Sequence, residues 1–267
     1  MAPQTRQKLP HFMSAKFDHL VSPQRGFPER NTPAKFKYLL ISTPRSGSTM
    51  IGEMLYATGG AGDPQEFLSR GYIEAWQRAY PLANGTFNIR DYLTLLEKLK
   101  TSPNGVFGMN AQFLQVQSLF KDREKLANFI RKFDKVITLS RKDKIAQAVS
   151  WWRASYTGIW SSMDYRFMSQ EENRETKETP YDRAGIADRL HRIFAQESVY
   201  QRLLSDFNIR HSSFVYENIT ANYTDQCLEI MRCLGIEGYG IDTKPLVQKQ
   251  GNRYDPMITA FRKDLGL

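Results

Sequence analysis

Residues 36–60 read FKYLLISTPRSGSTMIGEMLYATGG, and their pattern is the most informative in the chain about its fold. Its first part, FKYLLIS (36–42), is a short apolar run that ends at a turn signal, which predicts a buried β-strand. Its last part, MIGEMLYATG (50–59), has the pattern of a helix that ends near glycine. A strand, a Gly/Ser/Thr turn and a helix in this order present backbone N–H groups and a helix dipole to an anion.

The turn between this strand and this helix has the side chains that an anion site needs. They are five consecutive residues: Arg45, Ser46, Gly47, Ser48 and Thr49. An arginine supplies positive charge and a planar fork of donors, hydroxyls add further donors, and glycine lets the backbone approach closely. The pattern therefore predicts phosphate or sulfate binding. A capped helix start without a ligand is the alternative, and Pro44 is typical of that structure too.

The turn differs from the Walker A loop of kinases and nucleoside triphosphatases. That loop has the pattern G-x-x-x-x-G-K-[ST], and its lysine contacts the β- and γ-phosphates. The first glycine and the lysine are missing here, and no acidic residue closes the strand candidates at 108–110 or 138–140 to hold magnesium. A P-loop nucleotide kinase is therefore less favoured and stays open as an alternative.

Apolar patterns along the rest of the chain alternate between strands and helices. Further strands are predicted at 105–110, 135–140 and 212–217, and helices at 89–100, 111–132, 143–160, 181–206 and 218–234. Residues 161–180 are polar and aperiodic, which predicts a long loop. The alternation indicates an α/β fold: a single P-loop-type domain with a mostly parallel central sheet flanked by helices.

Composition and charge narrow the class of protein. The chain has 267 residues, 41% of them hydrophobic, and no apolar run long enough to span a bilayer. The net charge is +9, of which +5 lies in residues 1–37. Because most of the positive charge is concentrated in this short segment, nucleic acid is not predicted as a partner. An anionic small ligand and an acidic surface are equally compatible with this charge. We expect residues 1–35 to be a basic N-terminal extension on the surface and residues 36–267 to be the folded domain.

Cysteine and histidine usage points to a reducing compartment and no metal. Cys227 and Cys233 lie six residues apart on a predicted helix, on different faces, so no disulfide is expected. The first residues lack the apolar core of a secretory signal, which favours a cytoplasmic location. The four histidines have no metal-binding spacing.

Two motifs together resemble those of sulfotransferases that use 3′-phosphoadenosine 5′-phosphosulfate (PAPS). The stretch STPRSGST (42–49) is similar to their 5′-phosphosulfate loop. The strand VITLS (136–140) is followed by Arg141, with Ser150 nine residues on, which resembles their 3′-phosphate site. An arginine at the carboxyl end of a sheet strand also suits a ligand site on physical grounds. The resemblance implies that Arg45 and the four residues after it bind one end of the nucleotide, and Arg141 with Ser150 the other.

Nearly all of the chain after residue 36 resembles the bacterial trehalose sulfotransferase family. The similar stretches fall in family order and are ATGGAGDPQEFL (57–68), TSPNGVFG (101–108), AQAVSWWRA (146–154), YDRAGIADRLHRIFAQESVYQRLL (181–204), VYENIT (215–220) and KPLVQKQGNRYDPMITAFRKDLG (244–266). The resemblance implies in-line transfer of a sulfuryl group from PAPS to a hydroxyl of a carbohydrate or glycolipid, by a homodimer. Residues 1–35 look like an addition to the family core.

The resemblance places the general base at Glu66, which would take the proton of the acceptor hydroxyl. Glu66 lies in a Gly/Pro-rich turn after the loop's helix, and the residues alone equally allow it to cap a helix behind Pro64. Arg45 stands where many of these enzymes have a lysine, and we expect it to stabilise the bridging oxygen by charge and hydrogen bonds.

The C-terminal stretch KPLVQKQGNRYD (244–255) resembles the family segment that closes over the nucleotide. The resemblance implies nucleotide contacts from Lys249, Gln250 and Arg253. A basic, solvated tail is the alternative, because the family's usual Arg-Lys-Gly pattern is absent here.

On the acceptor side we expect Gln65, Asn110 and Trp152 beside Glu66. Asn110 stands at about the place where the trehalose enzyme has a lysine, which favours an acceptor other than trehalose itself. A trehalose-like sugar, a lipopolysaccharide-type sugar and another glycolipid all stay open. A non-enzymatic nucleotide-binding or membrane-surface module also stays open, and the basic leader suggests peripheral contact with the inner face of a membrane.

Overall fold

The centre of the molecule is a parallel β-sheet. The computed structural model describes residues 10–81, 87–120, 122–174, 178–242 and 255–267. The strands within these ranges are β1 (Phe36–Ser42), β2 (Val106–Gln112), β3 (Lys135–Ser140) and β4 (Ser212–Val215). They lie in the order β2–β1–β3–β4 and all pair in parallel. The prediction of an α/β fold with a parallel central sheet is confirmed.

Helices flank this sheet. Those in the described ranges are α1 (His11–Val21), α2 (Ser48–Ala57), α3 (Arg70–Ala79), α4 (Ile89–Lys100), α5 (Phe113–Ser118), α6 (Arg123–Ile130), α7 (Lys144–Thr157), α8 (Gln170–Arg174), α9 (Arg183–Asp206), α10 (Tyr216–Ala221), α11 (Tyr223–Cys233) and α12 (Pro256–Asp264). The order β1–loop–α2 is the P-loop-type arrangement that the sequence predicts.

Strand β1 is buried on both faces, which explains its uninterrupted apolar sequence. Leu39 and Ile41 pack on one side in a core shared with β2 and α4. Tyr38 and Leu40 pack on the other side against residues of α2. The loop between β1 and α2 is thus anchored at both ends by buried elements.

The register of the sheet brings the loops after the strands together. Ser42 at the end of β1 pairs with Gln112 of β2 and Leu139 of β3, and Ser140 pairs with Val215 of β4. Because the strands are parallel, their carboxyl ends share one edge, where open α/β sheets bind ligands. The residues that follow each strand therefore meet at this edge.

Several secondary-structure predictions differ from the structure. The helical stretch at 111–132 is wrong in part, because β2 continues to Gln112 and Asp122 begins a new helix, α6. The predicted loop at 161–180 contains a 3-10 turn at Asp164–Arg166 and the short α8. Helices α3 and α12 were not predicted.

One face of helix α1 is buried, so this part of the chain packs against the rest of the fold; the N-terminal extension stays a prediction. Lys16 and Arg25 are only 9% and 5% exposed. Lys16 pairs with Asp164 at 2.6 Å, and Arg25 pairs with the carboxylates of Glu53 and Asp63. Lys16 and Arg25 thus neutralise internal carboxylates. Where the folded domain begins stays a prediction.

Three further features bear on the class of protein. Among the described residues, no helix combines the length and hydropathy that crossing a bilayer requires. In the same ranges, no group of three or more His, Cys, Asp or Glu side chains is arranged to bind a metal ion. Cys227 and Cys233 are free thiols on α11.

Candidate active site

A cavity of about 430 Å³ lies at the carboxyl edge of the sheet. The loop after β1, the ends of β2 and β3, the turn at 64–66 and one face of α1 all contribute to its wall. The sequence-predicted site residues that line it are Arg45, Gly47, Ser48, Thr49, Gln65, Glu66, Asn110, Arg141 and Ser150. The structure therefore brings most of the predicted site into one cavity.

The loop after β1 has a backbone conformation that suits an anion. Arg45 and Gly47 both adopt positive φ angles, 67° and 92°, and Gly47 caps the N-terminus of α2. Successive turns of this kind point backbone N–H groups into one concavity. Ser48 and Thr49 line the cavity, but Ser46 does not: its hydroxyl donates to the carbonyl oxygen of Thr43 at 2.9 Å. That hydrogen bond closes the loop, and the contact of Ser46 with the nucleotide stays a prediction.

Gly47→Ala should weaken the binding of adenosine 3′,5′-bisphosphate by tenfold or more. A Cβ at Gly47 would lie 2.6 Å from Cδ2 of Tyr216 in addition to the strain of its positive φ angle. Gly59→Ala is the matched control, because Gly59 also has a positive φ but has open space around its Cβ position. Thermal shift with the bisphosphate would measure both, and equal losses in the two variants would contradict a tightly packed loop.

Arg45 is held in place by two contacts. Its Nε donates to Oγ of Ser150 at 2.9 Å, and its Nη1 donates to the carbonyl oxygen of Trp160. Burial lowers the pKa of Arg45 to about 10, so the guanidinium keeps its charge at neutral pH. The structure thus joins two predicted phosphate ligands, Arg45 and Ser150, that lie 105 residues apart in the sequence.

Arg141 leaves β3 and stacks on the ring of Tyr216, 4.9 Å from its centroid. Its Nε is 3.7 Å from Oε1 of Glu217 but makes no hydrogen bond, although it is buried. A buried donor of this kind is costly unless a ligand pairs with it. Tyr216 was not predicted from sequence; the only signal was its place at the end of a strand candidate.

Glu66 is oriented by two amides that sequence reasoning missed. Nε2 of Gln112 donates to Oε1 of Glu66, and Nε2 of Gln115 donates to Oε2, each at 3.1 Å. The next residue, Phe67, is fully buried and stacks on Phe107. The carboxylate is thus fixed at the cavity wall from both sides. Since Gln112 ends β2, its position after a predicted strand was the available signal.

A buried ionic cluster supports the turn that carries Glu66. Nη2 of Arg25 lies 2.7 Å from Oε1 of Glu53 and 3.0 Å from Oδ1 of Asp63. Nζ of Lys100 lies 3.1 Å from Oδ2 of Asp63. Nε2 of Gln65 donates to both carboxylates at 2.9 Å. The amide nitrogen of Gln65 thus holds the turn, and the predicted contact of Gln65 with substrate stays a prediction.

The two remaining residues expected on the acceptor side, Asn110 and Trp152, differ in their position relative to the cavity. Asn110 is 2% exposed and lines the cavity, and its Oδ1 has no hydrogen-bond partner. Trp152 turns away: its indole N–H donates to the carbonyl oxygen of Pro180 at 3.0 Å, and its ring packs against Gly185. Trp152 is not among the residues that line the cavity, and its contact with substrate stays a prediction. Trp151 and Trp160 line the cavity instead.

The predicted nucleotide contacts of the C-terminal segment, Lys249, Gln250 and Arg253, lie outside the described residues. Arg153 of α7 pairs with Asp255 at the start of α12. Its guanidinium therefore joins two helices.

The fold and the site define an α/β protein with a P-loop-type anion loop, a second arginine at the same sheet edge and a carboxylate in the shared cavity. The profile of the Stf0 sulphotransferase family matches residues 37–264, and the chain belongs to this family. The prediction of a sulfotransferase close to the trehalose sulfotransferase family is confirmed.

Two curated relatives and one solved structure are similar to the chain. The trehalose 2-sulfotransferase of Mycolicibacterium smegmatis is 25% identical over 263 residues, which cover 85% of this chain and 94% of the relative. That of Mycobacterium tuberculosis is 25% identical over 262 residues, with the same coverage. The crystal structure of a sulfotransferase from Alicyclobacillus acidocaldarius is 12% identical, with a TM-score of 0.49, and covers 87% of this chain and 94% of that one.

Proposed function

We propose that this sulfotransferase moves a sulfuryl group from PAPS to a hydroxyl of a carbohydrate, with Glu66 as the general base. The observation that carries the proposal is the single cavity in which Arg45, Arg141 and Glu66 meet. Two fixed positive charges suit an anionic donor, and a carboxylate on the same wall suits removal of a hydroxyl proton.

The residues at the sheet edge fit a nucleotide with two phosphate groups. The backbone N–H groups of the β1–α2 loop, with the hydroxyls of Ser48 and Thr49, suit the 5′ group. The unpaired Nε of Arg141 and the hydroxyl of Ser150 suit the 3′-phosphate. Contacts from Lys249, Gln250 and Arg253 stay a prediction.

When bound, PAPS supplies the sulfuryl group and a phosphate leaving group. Glu66 takes the acceptor's hydroxyl proton while that oxygen forms its bond to sulfur and the bond from sulfur to the bridging phosphate oxygen breaks. Arg45 and the N-terminus of α2 stabilise the negative charge that develops on this oxygen. The amides of Gln112 and Gln115 keep the carboxylate in one orientation.

The acceptor belongs to the carbohydrates by analogy with the two relatives named trehalose 2-sulfotransferase. A trehalose-like sugar, a lipopolysaccharide-type sugar and another glycolipid are the finer options. Homodimer formation and contact with the inner face of a membrane stay predictions. For the membrane, the buried ion pairs of Lys16 and Arg25 remove two of the charges that motivated the idea.

The identity of the donor is tested by measuring the melting temperature with three ligands in turn: adenosine 3′,5′-bisphosphate, AMP, and ATP together with magnesium. A ligand at one hundred times its Kd stabilises the folded state by roughly 2.7 kcal/mol. We expect a clear shift with the bisphosphate and little with AMP.

Arg141→Ala should weaken bisphosphate binding by about tenfold or more, since a charged hydrogen bond is lost. Arg202 is an exposed arginine of α9, and Arg202→Ala should leave bisphosphate binding unchanged.

The other outcomes separate the alternatives. A shift with ATP and magnesium alone would support a kinase. A shift with the bisphosphate but no transfer from PAPS to any sugar would support the non-enzymatic module.

A further inference from the structure

Helix α1, which lies outside the family match at 37–264, forms one wall of the cavity. Met13, Phe17 and Leu20 line it. Their spacing of four and three residues puts them on one face of the helix. This face is apolar apart from Lys16, whose ammonium is neutralised by Asp164.

Two internal contacts hold α1 along the reactive part of the cavity. Beside the donor loop, Lys16 pairs with Asp164, whose carboxylate also accepts the N–H of Trp160, and the carbonyl of Trp160 accepts from Arg45. Beyond the other end of α1, Arg25 pairs with Asp63, three residues before Glu66. On the proposed function, on which this inference rests, the acceptor hydroxyl lies between Arg45 and Glu66. Helix α1 therefore borders the acceptor.

Three buried amides give the cavity a polar side that lacks partners. Asn110 Oδ1, Gln112 Oε1 and both amide atoms of Gln196 are buried without hydrogen bonds, and all three residues line the cavity. Gln196 is 4% exposed on α9. Native proteins seldom leave such atoms unpaired, so this side fits a ligand that is rich in hydroxyls.

The cavity also has an apolar side chain exposed to solvent. Leu114 of α5 lines the cavity and is nevertheless 45% exposed. It shares the cavity lining with Met13, Phe17 and Leu20, and because Met13 and Leu20 are already buried, the apolar surface still open to solvent is mainly that of Leu114. An apolar group on the ligand would remove this surface from water.

We propose that the acceptor is a glycoside with an apolar substituent, an alkyl or acyl chain, and that α1 recognises this substituent. The sugar hydroxyls bind Asn110, Gln112 and Gln196. The apolar chain packs on Met13, Phe17 and Leu20 and passes Leu114, so the segment outside the family match sets acceptor specificity.

Calorimetric titration in the presence of adenosine 3′,5′-bisphosphate tests the role of the apolar substituent. Two matched pairs of ligands are compared: trehalose with 6-O-octanoyl trehalose, and methyl glucoside with octyl glucoside. Each ligand is used at a concentration at which it is monomeric. We expect at least one octyl member to bind tenfold or more tighter than its parent, the equivalent of burying about two methylene groups. Equal affinities within both pairs, or no binding by any probe, would overturn the proposal.

Variants assign the effect to the named residues. Leu114→Ser should reduce the octyl advantage several-fold without loss of stability, since Leu114 is partly exposed. Phe17→Ser should reduce it too, provided that its melting temperature shows it folded. Gln196→Leu should weaken both members of a pair equally. Leu228→Ser, a partly exposed leucine of α11 away from the cavity, is the matched control. An octyl advantage unchanged by both Leu114→Ser and Phe17→Ser would contradict the role of α1.

Failure of this inference can be distinguished from failure of the proposed function. If the bisphosphate gives no thermal shift and PAPS supports no transfer, the proposed function fails. If the bisphosphate binds and a free sugar is sulfated as well as its octyl derivative, only the present inference fails.

Discussion

Glu66→Gln should lower kcat for sulfuryl transfer by about 10²–10⁴. Glutamine keeps the size of the side chain and its hydrogen-bonding ability but cannot take the acceptor's proton. The amides of Gln112 and Gln115, which hold Glu66 in the native enzyme, can rotate to pair with the new amide. Steady-state rates with PAPS and the best acceptor would measure the effect.

The controls separate chemistry from folding and donor binding. Adenosine 3′,5′-bisphosphate should bind Glu66→Gln as tightly as the native protein, because Glu66 is not proposed as a nucleotide ligand. Glu229→Gln, at an exposed position of α11, should leave kcat unchanged. A Glu66→Gln variant that retains kcat within a few-fold of native would show that another group removes the proton.

Arg25→Met should reduce the free energy of unfolding by about 3–5 kcal/mol. The guanidinium is 5% exposed, pairs with both Glu53 and Asp63, and stacks 4.2 Å from the ring centroid of Tyr56. Its loss leaves Asp63 with Lys100 alone and Glu53 without a cationic partner among the described residues. Denaturant unfolding followed by circular dichroism would measure the change.

The pH dependence of this variant is a second readout. Burial by itself would raise the pKa of Asp63, but the charges of Arg25 and Lys100 and hydrogen bonds from Arg25 and Gln65 outweigh it, so the pKa is lowered. Because the pKa of Asp63 is lower in the folded state than in the unfolded state, where it is about 3.9, this carboxylate stabilises the fold at pH values above the unfolded-state pKa. This stability is lost as the pH falls through the folded-state pKa. Native protein should therefore hold this contribution to about pH 4, and Arg25→Met should have less of it to lose.

A surface ion pair is the matched control for this variant. Arg78→Met breaks the exposed pair with Asp18 and should cost less than about 1 kcal/mol. Equal losses for Arg25→Met and Arg78→Met would mean that the N-terminal segment is an accessory extension, as its composition suggested.

The part of the candidate site formed by the β1–α2 loop, Arg141 and Ser150 was largely predictable because its signals are local. The strand, turn and helix of residues 36–59 specify the anion loop within one continuous stretch. Arg141 and Ser150 lie on a second strand–helix unit, and a parallel sheet brings the two units to one edge. Ser46 was the exception, since only the closed loop reveals that its hydroxyl bonds to Thr43.

The part of the candidate site around Glu66 was predictable only in part, because its contacts join segments that are distant in the sequence. Glu66 came from resemblance to a family, whereas Gln112 and Gln115, which orient it, have no pattern of their own. Trp151 and Trp152 are neighbours in the sequence, and only the packing of α7 on α9 decides that Trp152 is turned from the cavity.

By itself, then, the sequence determined the fold class, the anion loop and the two arginines, since hydrophobic periodicity and turn chemistry act over a few residues. That helix α1 forms one wall of the cavity follows from the tertiary structure alone. Lys16 and Arg25 have the composition of a solvated leader, but their partners Asp164, Glu53 and Asp63 lie far along the chain. Whether such a charge faces water or a buried carboxylate depends on the folded neighbours, which no local pattern contains.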